Sequence, residues 1–202
     1  MNRGIPFIIS GPSGAGKTTL YRKAIESFSD LRHSVSYTTR GPRAGDVNGV
    51  DYWFVDDAVF DAMIDNNAFL EYAHIHGKRY GTSKKDLEAI LAKGLNVILE
   101  IDVQGAVHMR ERLAGGVYIF ILPPSIDVCR QRLSARGKDS PEDIEKRLQA
   151  ALDEIRSASQ YDYLIINDDI ESSFDKLKSI MIAEKSRKER LMERVRELFG
   201  EG

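Results

Sequence analysis

Gly11-Pro12-Ser13-Gly14-Ala15-Gly16-Lys17-Thr18, followed by Thr19, decides how this chain is read. The stretch fits G-x-x-x-x-G-K-[ST] at every position. It stands between an apolar run, Pro6 to Ser10, and an amphipathic segment from Thr18 to about Phe28. Strand, loop and helix thus follow in the order the motif requires. The glycines let the backbone curl so that successive N–H groups aim at phosphate oxygens, and the helix N-terminus adds a field that favours anions. Lys17 suits a bridge to the outer phosphates, and the Thr18 hydroxyl suits magnesium. A triphosphate nucleotide is the expected ligand. The motif alone does not name the reaction.

Outward from the loop, strand and helix patterns alternate. Asn96 to Ile101 and Val117 to Leu122 are nearly all Val, Ile and Leu, as in strands of a parallel sheet covered on both faces. Phe69 to Ile75 and Tyr163 to Ile166 read as further strands, and Ser34 to Arg40 as extended. Asp57 is placed to cap a short helix bearing Phe60, Met63 and Ile64. Ser83 caps another, closed by Gly94, and Ser125 caps a third. Ser140-Pro141 opens a fourth, with Asp143 near the capping-box position. A single long helix is expected from about Ser172 to Phe199. Arg43 to Tyr52 is rich in Gly, Asp and Asn and reads as turns. The polar middle, 34–82, interrupts the alternation and reads as an inserted subdomain. The fold class is α/β.

The 202 residues hold 42% hydrophobic and 30% charged side chains, a soluble globular balance. A net charge of -2 lacks the basic footprint of a nucleic-acid coat. The longest apolar runs are strand-sized, far short of a membrane span. The start of the chain has no signal-peptide pattern, so the expected compartment is the cytoplasm. The one cysteine, Cys129, allows no intrachain disulfide and reads as a core thiol. His74 and His76 alternate on a strand with no third ligand nearby, a poor zinc site.

A second anion site is suggested by Ser34-Val-Ser36-Tyr37-Thr38-Thr39-Arg40-Gly-Pro-Arg43, two arginine forks in a hydroxyl-rich stretch. Taken alone, such a pair is more often a solvated surface feature. The series GPSGAGKTT, S-x-S-x-T-T-R-x-P-R, G-x-x-N-G-x-D-Y, F-L-E-Y, Y-G-T-S, I-L-E-I-D-V-Q-G, R-Q-R-L-x-x-R-G, K-R-L and I-I-N-D-D closely resembles guanylate kinase, in order, over about residues 4 to 182. The resemblance implies one domain over 1–202. A P-loop-type parallel sheet flanked by helices forms its core (1–33, 83–125 and 160–202). A GMP-binding subdomain (34–82) and a short helical lid (126–159) complete it. The implied reaction is ATP + GMP to ADP + GDP with magnesium, and dGMP is the implied second acceptor.

Carried over by position, Gly11 to Thr19 would hold the ATP phosphates, with Asn167 and Asp168 near adenine. Arg40, Arg43, Tyr52 and Tyr80 would hold the GMP phosphate, and Glu71, Ser36 and Thr82 would read guanine. Asp102 would lie between GMP and the magnesium region, with Thr18. Lys17, Arg43, Arg132, Arg136 and Arg147 would stabilise the transferring phosphoryl group. Arg130 precedes the matched position by two residues. The family often has serine where this chain has Tyr37 or Thr82.

Chemistry supports the base reader independently. Guanine presents N1–H and an exocyclic amine side by side, a donor pair for one carboxylate, whereas adenine would leave Glu71 unpaired, a mismatch that can cost about ten-thousandfold. Other readings stay open at single residues. Asp102 also suits a helix cap, and Asn167-Asp168 also suits a strand-to-helix turn. A P-loop kinase for another phosphorylated acceptor, such as a sugar phosphate, and a kinase-like interaction module are the rival functions. The first has no need of a purine reader, and the second usually lacks the intact loop. Leu191, Val195 and Leu198 form an apolar stripe suited to docking on the domain or on a second copy.

Overall fold

The computed structural model describes residues 3–75, 77–135 and 140–200. The chain runs β1 (Pro6–Ser10), α1 (Lys17–Ser27), β2 (Leu31–His33), β3 (Tyr37–Thr38), β4 (Trp53–Phe54), α2 (Asp57–Asp65), β5 (Phe69–Ile75), β6 (Lys78–Ser83), α3 (Lys84–Leu91), β7 (Asn96–Glu100), α4 (Val103–Arg112), β8 (Val117–Leu122), α5 (Ile126–Ser134), α6 (Pro141–Arg156), β9 (Tyr163–Ile166), α7 (Ile170–Lys185) and α8 (Lys188–Phe199). Two sheets result. One has the order β2-β7-β1-β8-β9 and is parallel throughout. The other has the order β4-β3-β6-β5 and is built from the 34–82 segment, with antiparallel β3–β6 and β5–β6 pairs.

The parallel sheet is buried on both sides. Phe7, Ile9, Ile119 and Ile121 pack with Leu20, Ala24, Leu177 and Met181 of α1 and α7. Ile8, Val97 and Leu99 pack on the other face with Leu87, Leu91 and Met109 of α3 and α4. A separate small core of Cys129, Leu133, Ile144, Leu148 and Ala151 joins α5 to α6 and makes that helix pair its own packing unit. Ser83, Ser125 and Ser140 each accept the backbone N–H three residues on, as the sequence predicts.

Several expectations need correction. Asp56, not Asp57, caps α2: it is extended and accepts from Val59 N at 2.8 Å, leaving Asp57 as the first helical residue. Of Ser34 to Arg40, only Tyr37–Thr38 enters a strand. The expected long C-terminal helix is two. Glu184, 2% exposed, accepts from Tyr163 Oη at 2.6 Å and pairs with Arg187 and Arg190, and the chain turns at Ser186–Arg187 to make these contacts. In α8 the stripe is largely uncovered, with Leu198 64% and Phe199 81% exposed. Among the described residues no helix is long and apolar enough to cross a membrane.

Candidate active site

The parallel strands bring one end of β1, β7 and β8 together, and the glycine loop leaves β1 there. Gly11, Gly14 and Gly16 all take positive φ. Gly16 is irreplaceable for a second reason: a Cβ there would lie 2.3 Å from Asn167 Nδ2. Asn167 is buried and donates to Ala15 O at 2.7 Å, so it props the loop from below. Arg132 of α5 donates to Gly14 O at 3.3 Å and to Asn167 O at 3.0 Å. Cys129 lies under the loop and donates its thiol to Ser13 O at 2.9 Å. Lys17 Nζ donates to Gly11 O at 2.6 Å and Pro12 O at 3.2 Å. The first turn of α1 carries no acidic side chain and no side-chain cap, so its amides remain available to an anion.

A cavity of about 360 Å³ opens in front of this loop. Gly11, Ser13, Gly14, Gly16, Lys17, Thr18 and Thr19 form one wall. Ser36, Tyr52, Glu71 and Tyr80 of the 34–82 segment line it too, with Glu100, Asp102 and Glu154. The loop and the guanine-reading candidates, far apart in sequence, therefore share one chamber.

Glu71 is 3% exposed. A register shift between Phe69 and Glu71 sets it opposite Thr82, and lets neighbouring Leu70 and Glu71 both turn inward. Thr82 Oγ1 donates to Glu71 Oε1 at 2.5 Å. Thr82 itself is outside the cavity wall, and its one proton goes to Glu71. The other oxygen approaches α4: a Cβ at Gly105 would lie 2.6 Å from Glu71 Oε2 and 3.0 Å from Asp102 Oδ1. A side chain there would push the Glu71 carboxylate aside. Burial pushes the Glu71 carboxyl up to about 7; the Thr82 hydrogen bond opposes the shift and Asp102 adds to it.

The phosphate-binding candidates divide. Tyr52 and Tyr80 meet edge to face at 5.7 Å. Burial, then the nearby Glu100, pushes the Tyr52 hydroxyl up to about 12, so it stays a neutral donor. Arg40 is turned from the cavity. Its Nη2 donates to Asp46 Oδ2 at 2.8 Å, and its guanidinium stacks over Tyr52 and Phe54. Arg43 is exposed, and its backbone N–H donates to the same Asp46 oxygen at 2.8 Å. Arg147 is half-buried on α6 and does not line the chamber. Asp168 is exposed and accepts from Asp169 N at 2.8 Å, the turn geometry that its residue type allows. Arg136 lies outside the described residues.

Asp102 caps α4, accepting from Gly105 N at 2.8 Å, while still lining the cavity. Burial raises its carboxyl. Sequence reasoning overlooked Glu100. It accepts from Thr18 Oγ1 at 3.3 Å and stands 3.9 Å from Lys17 Nζ. The signal was present: Glu100 is the only charge in β7 and follows the apolar Val97, Ile98 and Leu99, and β7 pairs beside β1 with Ile9 opposite Glu100. Glu154 was overlooked as well, being one acid among many on a polar helix face. The Thr18 hydroxyl with the Glu100 and Asp102 carboxylates is a set of hard oxygen donors, which fits magnesium.

The parallel sheet, the glycine loop and the facing carboxylate define a P-loop nucleotide kinase. Residues 3–184 match the family model described as "Guanylate kinase". The chain is 52% identical over 196 residues to a guanylate kinase of Geobacter sulfurreducens, covering 97% of both chains. It is 50% identical over 199 residues to that of Geobacter metallireducens, covering 98% of both. A crystal structure of guanylate kinase from Anaplasma phagocytophilum superposes with a TM-score of 0.81 at 35% identity, over 100% of this chain and 98% of that one. The chain belongs to the guanylate kinase family, and its activity is the phosphorylation of GMP to GDP with ATP as donor.

Proposed function

We propose that ATP and GMP meet in this cavity, with the glycine loop holding one and the second sheet the other. The observation that carries the reading is a buried carboxylate, Glu71, facing Lys17 across a single chamber. The loop from Gly11 to Thr19 holds the ATP phosphates through its backbone N–H groups, Pro12 having none, and Lys17 leaves its carbonyl partners to bridge the outer ones. Asn167 and Asp168 lie toward adenine. Glu71, held by Thr82, accepts the two guanine donors, and Ser36 donates to guanine O6. Tyr52 and Tyr80 give hydrogen bonds to the GMP phosphate. Arg40 and Arg43 swing in to join them, Arg40 exchanging Asp46 for the stronger anion. Asp102 borders GMP.

Residues 34–82 act as the acceptor subdomain, 126–159 as the lid, and 1–33, 83–125 and 160–202 as the core. The lid brings Arg132, Arg136 and Arg147 to the transferring group and excludes water. Thr18, Glu100 and Asp102 are the residues that hold magnesium, directly or through its waters; when bound it neutralises charge on the transferring phosphates. The enzyme works in purine nucleotide metabolism in the cytoplasm, accepts dGMP, and needs no nucleic acid or membrane. The uncovered end of α8 is the surface through which copies associate, which light scattering tests.

A coupled assay with GMP, AMP, UMP and dGMP tests the reading. GMP and dGMP turn over, and AMP and UMP lag by orders of magnitude. Comparable rates with all four would contradict it. Lys17→Ala loses most turnover but still binds GMP by calorimetry.

A further inference from the structure

Glu154 is the one residue of α6 in the cavity wall, and nothing in the reading above gives it work. Its carboxylate is half-buried and accepts no hydrogen bond from a described residue. It lies within electrostatic reach of both Lys17 and Asp102, which line the same cavity. Asp102 in turn flanks Glu71 across Gly105. Glu71, Asp102, Glu154 and Lys17 therefore line one chamber. A GMP with its base on Glu71 and its phosphate toward Lys17 crosses this chamber, which leaves its sugar to the remaining carboxylates of the wall, Asp102 and Glu154 among them.

An ionised carboxylate only accepts hydrogen bonds, and shutting it in a closed site unpaired is costly. GMP has few donors to offer. The guanine N1–H and one amine N–H go to Glu71, which leaves the two ribose hydroxyls and the second amine N–H, and that N–H lies at the base end beside Glu71. The ATP sugar is a poorer match, because the chamber that holds Glu154 contains none of Arg132, Asn167 and Asp168.

We infer that Glu154 accepts a hydrogen bond from a ribose hydroxyl of the acceptor nucleotide, so that the lid-side helix reads the sugar while Glu71 reads the base. This rests on the assignment of GMP to the second-sheet side of the chamber. The site then ranks acceptors by sugar: the ribonucleotide first, and the analogue lacking the bonded hydroxyl behind it. Because α6 packs with α5 as a unit, the same bond ties acceptor binding to the position of the arginine-bearing helix pair.

The test crosses enzyme with substrate. kcat/KM is measured for GMP, dGMP and 3′-deoxy-GMP with wild type, Glu154→Gln and Glu154→Ala. Wild type loses about tenfold or more when one of the two hydroxyls is removed, and Glu154→Ala shrinks that penalty to under about twofold. Each penalty is a ratio within one enzyme, so a smaller folded fraction cancels. The more conservative Glu154→Gln keeps the test available should the alanine variant fold poorly. Selectivity for GMP over AMP stays at the wild-type value in all three, which separates this claim from that for Glu71. An equal sugar penalty in wild type and variants overturns the inference. So does a variant whose only change is the magnesium concentration needed for half-maximal rate, which would make Glu154 a partner of hydrated metal instead. Loss of GMP-over-AMP selectivity in wild type would instead overturn the assignment of GMP to the chamber.

Discussion

Thr82 and Glu71 sit opposite each other on paired strands, and the threonine hydroxyl donates to the carboxylate at 2.5 Å. The hydroxyl donates to the carboxylate and Thr82 is absent from the cavity wall, so Thr82 fixes the rotamer of Glu71 and favours its charge. Thr82→Val keeps the volume and removes the proton. KM for GMP rises about tenfold, with kcat changed much less, because the base and not the transferring group is affected. Steady-state kinetics at saturating ATP check this; a matching fall in kcat would contradict it.

The same burial has a signature in stability. Glu71 titrates near 7 in the folded enzyme against an ordinary 4.5. An acid raised on folding binds more protons folded than unfolded, so stability is lost as pH climbs between those values and stays lost above them. Glu71→Gln removes that loss. Relative to wild type, its ligand-free melting temperature gains at least about 3 °C on going from about pH 5 to about pH 8. Glu154 is present in both proteins, and the difference reports Glu71 together with its repulsion from Asp102, which has the same sign. A difference independent of pH contradicts the assignment.

Glu100 accepts from Thr18 and lies near Lys17, both in the first turn of α1. Glu100→Gln raises the magnesium concentration for half-maximal rate by about tenfold or more and leaves the GMP-to-AMP preference as it was. A magnesium titration of turnover reads this directly, and an unchanged midpoint removes Glu100 from the metal region.

Arg43 is exposed, its side chain makes no ion pair with a described residue, and it sits on a loop anchored by Asp46. Arg43→Ala lowers kcat/KM for GMP about ten- to hundredfold while KM for ATP stays within about twofold. Equal losses for both substrates would place the arginine elsewhere in the mechanism.

Much of the core was legible because its strands are apolar runs bounded by turn residues. Pro6–Ser10, Phe69–Ile75, Val117–Leu122 and Tyr163–Ile166 form as the pattern predicts. Lys78–Ser83 carries no such pattern; Lys-Arg-Tyr-Gly-Thr-Ser is a strand because β3 and β5 pair with it on either side. The turn at Ser186 was hidden because its cause, the buried Glu184, draws Tyr163 from a distant strand. In the site, the loop and Glu71 were legible from motif order. Glu100 and Glu154 were not, since each becomes distinctive only through what faces it: Thr18 and Lys17 in the one case, an open chamber in the other. The resting partner of Arg40 was not legible, because Asp46, six residues on in a turn-rich loop, becomes its partner only through the fold of that loop.

The central claim is that one buried carboxylate chooses the base. Its most direct test is the ratio of kcat/KM for GMP to that for AMP, in wild type and in Glu71→Gln. The amide can no longer accept from both guanine donors, so the ratio falls by about a hundredfold or more, while kcat at saturating GMP falls less than about tenfold. A Glu71→Gln enzyme that keeps the wild-type ratio would show that guanine is read by something else.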